Sequence, residues 1–326
     1  MTVSIIIPIY NVERYIEKCV CSLMEQTYED IQYIFVDDAS PDGSIALLKK
    51  VLKDYPLRST EVKLLVHEKN KGLPAARNTG VAHAEGDYIY HCDSDDWMDE
   101  DCIQEMLSTA VEQNADIVYT DWYLTFYKNE RYMRQPYCTD PKQALSAMLD
   151  GSMKYNVWNK LIKRDLYVKN SICFPEGKGM GEDMTMIKLF AHAQKVAHIP
   201  KAYYHYMQTN STAFTKKFKE SHLNDILENT QNTIAYLDEV FGKDIFLKEC
   251  FFFQLNAKLP LLFSEDKNMF SVWRSLFTEA HPYIKMNPSF SNRTKFIQYA
   301  ATKKQDWVIR IYNLILFRFV YGFLYK

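Results

Sequence analysis

The sequence predicts an α/β protein: a doubly wound, mostly parallel sheet followed by a mainly helical C-terminal region. Three observations predict this. Apolar runs of strand length alternate with helically spaced segments four times within about the first 110 residues. The runs, such as TVSIIIPIY, are continuous rather than alternating, which is the pattern of strands covered on both faces. From about Thr215 onward only helical spacing remains.

After the first run, VERYIEKCVCSLMEQ places Val12, Ile16, Val20 and Leu23 on one helical face. IQYIFVDD predicts the second strand. SPDGSIALLKKVLKDY predicts a turn and a helix, with Ser40 or Asp42 as its cap. VKLLVHE and LPAARNTGVAHA predict the third strand and helix. DYIYHCD predicts the fourth strand, before an acidic turn and the helix EDCIQEMLSTAVEQ. Beyond it, ADIVYTDWYLTFY predicts a strand and DPKQALSAMLDG a helix. VWNKLIKRDLYVKN and GEDMTMIKLFAHAQ read as helices, and VAHIPKAYYHYMQTN as an extended aromatic segment. The expected divisions are 1–110, 111–214 and 215–326.

Composition excludes several classes. With 326 residues and 47% apolar side chains the chain can bury a sizeable core, and a net charge of −2 gives no bulk attraction to nucleic acid. Aromatics reach 14%, with 23 Tyr, which suits ring stacking and ordinary cores alike. Cysteines at 19, 21, 92, 102, 138, 173 and 250 form no zinc-spaced pair, so reduced thiols and a cytoplasmic location are expected. The N-terminus lacks a basic region and a cleavage site, so no signal peptide is expected. The last twenty residues, WVIRIYNLILFRFVYGFLYK, are apolar but carry Arg310, Arg318 and Lys326. Those charges argue against a bilayer-spanning helix. Three uses stay open: peripheral contact with the inner face of the membrane, a core helix, and a homodimer contact.

In open α/β sheets ligands bind beyond the carboxyl ends of the strands. Four polar clusters fall there: PIYNVE after the first strand, Asp37 and Asp38 after the second, NKGLPAARN after the third, and Asp93, Ser94 and Asp95 after the fourth. The turn HCDSDDWMD crowds Asp93, Asp95, Asp96 and Asp99 together. A bound cation explains the crowding; a solvated turn capping the next helix is the alternative. Two carboxylates two positions apart suit Mg²⁺ or Mn²⁺, which takes its other ligands from water and phosphate oxygens. Arg77 offers a planar fork to phosphate. Tyr10 offers a ring face for a base, and Asp38 an acceptor for a uracil imide. The set suits a metal-bound nucleotide diphosphate.

SIIIPIYNVERYI, VDDASPDGS, NKGLPAARNTG, GDYIYHCDSDDWM and GEDM together resemble family 2 glycosyltransferases of the GT-A fold, over roughly residues 2 to 212. The flavour is that of bacterial enzymes building surface polysaccharides. The resemblance implies that residues 1–110 form the nucleotide-sugar-binding half and 111–214 the acceptor-binding half. It implies that Pro8, Tyr10, Asn11 and Glu13 belong to the nucleotide loop, that Asp38 contacts the base beside Asp37, and that Arg77 lies near the diphosphate. Asp93 and Asp95 become the D-x-D pair, with Asp93 between ribose and metal and Asp95 on the metal. Asp183 aligns with the catalytic base, while a helix-capping role fits its sequence position as well. Trp158, Asn159 and Lys160 match an element near the acceptor. One stretch departs from the family: Met207 and Thr209 in YMQTNST replace frequent arginines, leaving His205 as a substitute phosphate contact or a structural histidine.

The function implied is an inverting, metal-dependent transfer of a hexosyl or N-acetylhexosaminyl group from a nucleotide-diphosphate sugar, UDP above others, to a hydroxyl of a glycan or lipid-linked acceptor. A catalytically inactive sugar-nucleotide-binding module is the alternative; retention of Asp93, Asp95 and Asp183 argues against it. A dinucleotide-dependent oxidoreductase would need a glycine-rich turn after the first strand. PIYNVERYI contains no glycine. A nucleotidyltransferase would need a basic, glycine-rich loop there, which is also missing.

Overall fold

The computed structural model describes residues 1–178, 181–208, 220–264, 266 and 268–315. Thr209, Arg318 and Lys326, named above, lie outside the described residues. The chain runs β1 (Val3–Ile9), α1 (Ile16–Met24), β2 (Ile31–Asp37), α2 (Ser44–Val51), β3 (Val62–Val66), α3 (Leu73–Ala82), β4 (Tyr88–His91), β5 (Trp97–Met98), α4 (Cys102–Gln113), β6 (Ile117–Thr125) and β7 (Glu130–Met133). It continues with α5 (Pro141–Asp150), β8 (Lys160–Lys163), α6 (Arg164–Lys169), α7 (Thr185–Phe190) and β9 (Val196–Met207), then α8 (Glu220–Phe241), α9 (Leu247–Lys258), α10 (Asn268–Ser275), α11 (Asn292–Thr302) and α12 (Asp306–Ile315).

Among the described residues all nine strands join one sheet, in the order β3-β2-β1-β4-β8-β6-β9-β5, with β7 on β6. The first four strands are parallel, as their continuous apolar runs require. Beyond β4 the sheet is mixed: β8 runs antiparallel to both β4 and β6, while β9 is parallel to β6. An all-parallel arrangement is therefore confined to β1–β4, with β6 and β9 a further parallel pair.

All seven residues of β1 are buried, and Val12, Ile16, Val20 and Leu23 are buried together as their spacing predicts. Pro8 is tolerated in this central strand because the β1–β4 ladder ends at Ile6–His91, and the Pro8 carbonyl accepts from the Ser94 hydroxyl instead (2.6 Å). Gly80 lets α3 approach β1 closely: a Cβ there would lie 2.3 Å from Ile6 Cγ2.

Two sequence readings are corrected. VWNKLIKRDLYVKN is not one helix, because Lys160–Lys163 is captured as β8 between β4 and β6 and only Arg164–Lys169 is helical. Leu161 and Ile162 are fully buried there, so ladder pairing overrides a helix-compatible pattern. Neither Ser40 nor Asp42 is the N-cap of α2; Gly43 is. Asp42 accepts the Ser44 amide from one residue outside and also the Glu13 amide, which ties two loops together.

The chain divides into two compact units. Residues 1–145 with 154–229 contain the sheet. Residues 146–153 with 230–326 form a helical unit whose core includes Phe252, Phe253, Leu255 and Trp273. No helix among the described residues is long and apolar enough to cross a membrane.

Candidate active site

The loops that leave β1, β2 and β4 are laced together by short hydrogen bonds. The Asn11 amide donates to the Ser40 hydroxyl (2.8 Å), and Asn11 takes a left-handed φ of 55° to do so. The Gly43 amide donates to the Glu13 carboxylate (3.0 Å). Glu13 thus acts within the described structure as a brace between the first two loops. Asp37 accepts from the Ser40 amide (2.8 Å), which closes its own turn. Tyr10 projects outward, 49% exposed, with its ring available.

Asp38 is buried and organised more heavily than its sequence context shows. Its carboxylate accepts from the Lys71 and Gly72 amides, both at 2.8 Å, and pairs with His67 Nδ1 at 2.7 Å. His67 in turn reaches the Thr79 hydroxyl through Nε2 (2.8 Å). These bonds pin the 67–72 loop to the end of β2. They use three of the four acceptor positions of a carboxylate and leave one on Oδ2. Sequence reasoning missed His67, whose position directly after β3 carried no motif of its own.

The centre of the site is Arg77. Arg77, on α3, is 1% exposed, and its guanidinium faces two acids from distant parts of the chain. Nη2 lies 2.9 Å from Asp93 Oδ1, and Nη1 lies 3.3 Å from Asp183 Oδ1. The guanidinium also lies 5.5 Å from the centre of the Phe174 ring. Asp183 therefore does not cap α7, whose N-cap is Met184 without a side-chain hydrogen bond. Burial raises the Asp183 carboxyl above the usual range and Asp93 adds to the rise; Arg77 and Lys160 oppose it.

The acidic turn is not a helix cap either. The N-cap of α4 is Asp101, with no side-chain cap bond. The acids have separate surroundings instead. Asp93 and Asp95 are half-buried, with the Asp93 side chain 22% exposed. Asp96 is 1% exposed; it pairs with the Tyr204 hydroxyl (2.8 Å) and accepts the Met207 amide (2.7 Å). Burial, then the charges of Asp95 and Asp93, push its carboxyl well above the ordinary range. Asp96 with Tyr204 is a supporting pair beneath the turn, and Tyr204 also receives the Asp93 amide (3.1 Å). Tyr204 carried no sequence signal beyond membership of an aromatic strand.

His205 has both ring nitrogens engaged by carboxylates. Its nitrogens meet Glu130 (2.7 Å) and Asp99 (3.0 Å), and its ring stacks between Trp97 and Tyr123. Trp158 is buried and stacks on Tyr204, its ring centroid 4.5 Å away. Lys160 is fully buried. Its ammonium donates to the carbonyls of Lys154 (3.0 Å) and Asn156 (2.6 Å) and to Asn159 Oδ1 (2.8 Å), and burial lowers it to about 7. Three acceptors match the three donors of a charged amine.

No three His, Cys, Asp or Glu side chains converge as a metal cluster among the described residues. Asp93 and Asp95 still fit a divalent ion that keeps waters and phosphate oxygens as its remaining ligands. A cavity of about 570 Å³ beside α1 is lined by Lys18, Trp97, Asp99 and Glu100 among others and by none of the predicted site residues.

The profile of glycosyl transferase family 2 matches residues 4–185, more than half of the chain. The chain belongs to glycosyl transferase family 2. Its sheet and helical extension are of the GT-A type. The chain is 28% identical over 245 residues to the putative glycosyltransferase EpsH of Bacillus subtilis, covering 73% of this chain and 69% of EpsH. It is 29% identical over 298 residues to the minor teichoic acid biosynthesis protein GgaB of the same organism, covering 86% of this chain and 32% of GgaB. The crystal structure of Staphylococcus aureus TarS residues 1–349 with UDP-GlcNAc superposes with a TM-score of 0.66 at 20% identity, covering 99% of this chain and 92% of that one.

Proposed function

We propose that this family 2 chain is a metal-dependent, inverting glycosyltransferase. It moves a hexosyl or N-acetylhexosaminyl group from a UDP-sugar to a hydroxyl of a glycan or lipid-linked acceptor in surface-polysaccharide synthesis. The observation that carries the reading is the Arg77 guanidinium shared between Asp93 and Asp183. One buried cation couples an acid at the predicted diphosphate end to the acid predicted to act on the acceptor. The donor assignment is supported by the UDP-GlcNAc complex of TarS, and the acceptor class by the name of GgaB.

In this reading Tyr10 stacks on the base and Asp38 accepts the uracil imide through its remaining Oδ2 position. Pro8, Asn11, Glu13 and Asp37 hold the loops that carry these contacts. Asp93 and Asp95 hold the divalent ion, and a bound Mg²⁺ or Mn²⁺ supplies a Lewis acid that stabilises charge on the leaving diphosphate. Arg77 adds a fixed positive charge beside it. Asp183 takes the proton of the acceptor hydroxyl as that oxygen attacks the anomeric carbon from the face opposite the leaving group. An elevated carboxyl suits a base working near neutral pH, and such a base contributes about 10²–10⁴ in rate. A single displacement inverts the anomeric centre. Peripheral contact with the cytoplasmic face of the membrane, through the segment from Trp307 onward, brings the enzyme to a lipid-linked acceptor.

The test uses two variants. Asp95→Ala should abolish divalent-dependent nucleotide release with the fold intact, and full activity in EDTA would exclude the metal role. Asp183→Asn should retain donor binding by calorimetry and lose turnover. Collapse of donor affinity would assign Asp183 to the donor pocket.

A further inference from the structure

The last two described helices each present large apolar residues outward, while Ile297, Ala300, Ala301 and Ile309 are buried. Along α11 and its C-cap Lys303, the solvent-facing positions Asn292, Phe296, Tyr299 and Lys303 follow helical spacing. On α12, Trp307, Ile311 and Leu314 do the same, with Arg310 and Ile315 beside them. Trp307 is 65% exposed and Phe296 60%. A surface helix ordinarily turns its polar stripe to water and its apolar stripe inward. Here the inward side of α12 contributes the buried Ile309 and an Asn313 amide that donates to the Leu262 carbonyl (2.8 Å). The outward side carries the large apolar groups.

The charge around these groups is as one-sided as their exposure. Residues 285–315 hold six Lys or Arg and one acid, in a chain whose totals are 39 basic and 41 acidic side chains. The one acid, Asp306, is tied to Arg274 (2.6 Å). Tyr299 lies between two of the lysines, with the Nζ of Lys285 at 5.2 Å and that of Lys303 at 5.5 Å from its ring centroid. Aromatic rings with basic neighbours are the composition of a helix lying in a membrane interface, where rings enter the headgroup layer and ammonium groups meet lipid phosphate.

We propose that α11 and α12 form a docking face for an anionic lipid bilayer, with Phe296, Tyr299, Trp307, Ile311 and Leu314 inserted and Lys303 and Arg310 at the phosphate level. The face begins before the final segment, so docking extends to described residues of α11. This deepens the membrane-contact part of the proposed function and rests on that reading only for its purpose, since lipid binding is measured without donor.

The experiment floats the full-length protein with vesicles of phosphatidylcholine alone and of phosphatidylcholine mixed with phosphatidylglycerol. The protein should float with the anionic vesicles only, and less as salt rises. Lys303→Gln with Arg310→Gln should lower partitioning about 30-fold, about fivefold per charge. Ile311→Ser with Leu314→Ser should lower it independently, and Trp307 emission should shift to the blue on anionic vesicles. Absence of flotation, or equal flotation on both vesicles, overturns the proposal. A solution dimer that Leu314→Ser converts to monomer assigns the face to a second copy instead. Trp307 shielded from acrylamide without vesicles would mean that the chain itself covers the face. Transfer to a water-soluble acceptor is assayed separately. Turnover lost with flotation intact counts against the transferase reading, and the converse against the docking face.

Discussion

Replacement of Arg77 by Met removes one charge from between two acids while nearly preserving volume. Unit charges about 4 Å apart interact by about 4 kcal/mol at an effective permittivity of about 20. The Asp183 side chain is 31% exposed, so solvent reduces this; about 1–2 kcal/mol is a reasonable remainder. Arg77 holds the Asp183 carboxyl down against its burial, so its loss lets that carboxyl rise further. A base must be unprotonated to act. The acid limb of the turnover profile should therefore move upward by about one pH unit in Arg77→Met, and less in Arg77→Lys, which keeps a charge but not the fork. The assay is initial nucleotide release against pH at saturating donor and acceptor, with thermal unfolding run in parallel. A uniform loss of rate with an unmoved acid limb would refute the coupling between Arg77 and Asp183.

The remaining predictions concern stability. Asp96 binds its proton more tightly folded than unfolded, so its stabilising contribution is full below the ordinary carboxylate pKa and is lost as pH rises through the elevated native value. Asp96→Asn, which cannot ionise, should therefore flatten the fall in urea midpoint with rising pH; parallel curves for both proteins would refute the elevated carboxyl. Gly80→Ala should cost about 1–3 kcal/mol by overpacking against Ile6. Ile6→Ala removes both clashing Cγ atoms, so the double variant should lose less in chemical denaturation than the sum of the two single losses, and strict additivity would count against a direct clash.

Much of this arrangement was legible in the residues. The first four strands declared themselves through runs such as VSIIIPI and IQYIFVD, because burial on both faces leaves no polar alternation to confuse with a helix. The D-x-D turn and Arg77 were legible because charges beside a buried strand end need a reason. The strand at Lys160–Lys163 was not legible. Four residues that begin and end in lysine carry no period, and pairing with β4 and β6 decides their conformation. His67 and Tyr204 escaped for a similar reason. Each acts by touching an acid that is distant in sequence, Asp38 in one case and Asp96 in the other, and no local pattern encodes such a meeting.

The brief strand β8 has a mechanical consequence. Among the described residues it is the strand through which β1–β4 join β6, since β4 pairs with β8 and β8 with β6. Melting of the parallel strands β1–β4 should drag the mixed strands with them, in one cooperative step. This seam lies in the stretch between β6 and β9 that also holds Trp158, Lys160 and Asp183, so the sequence there is tied to both parts of the sheet.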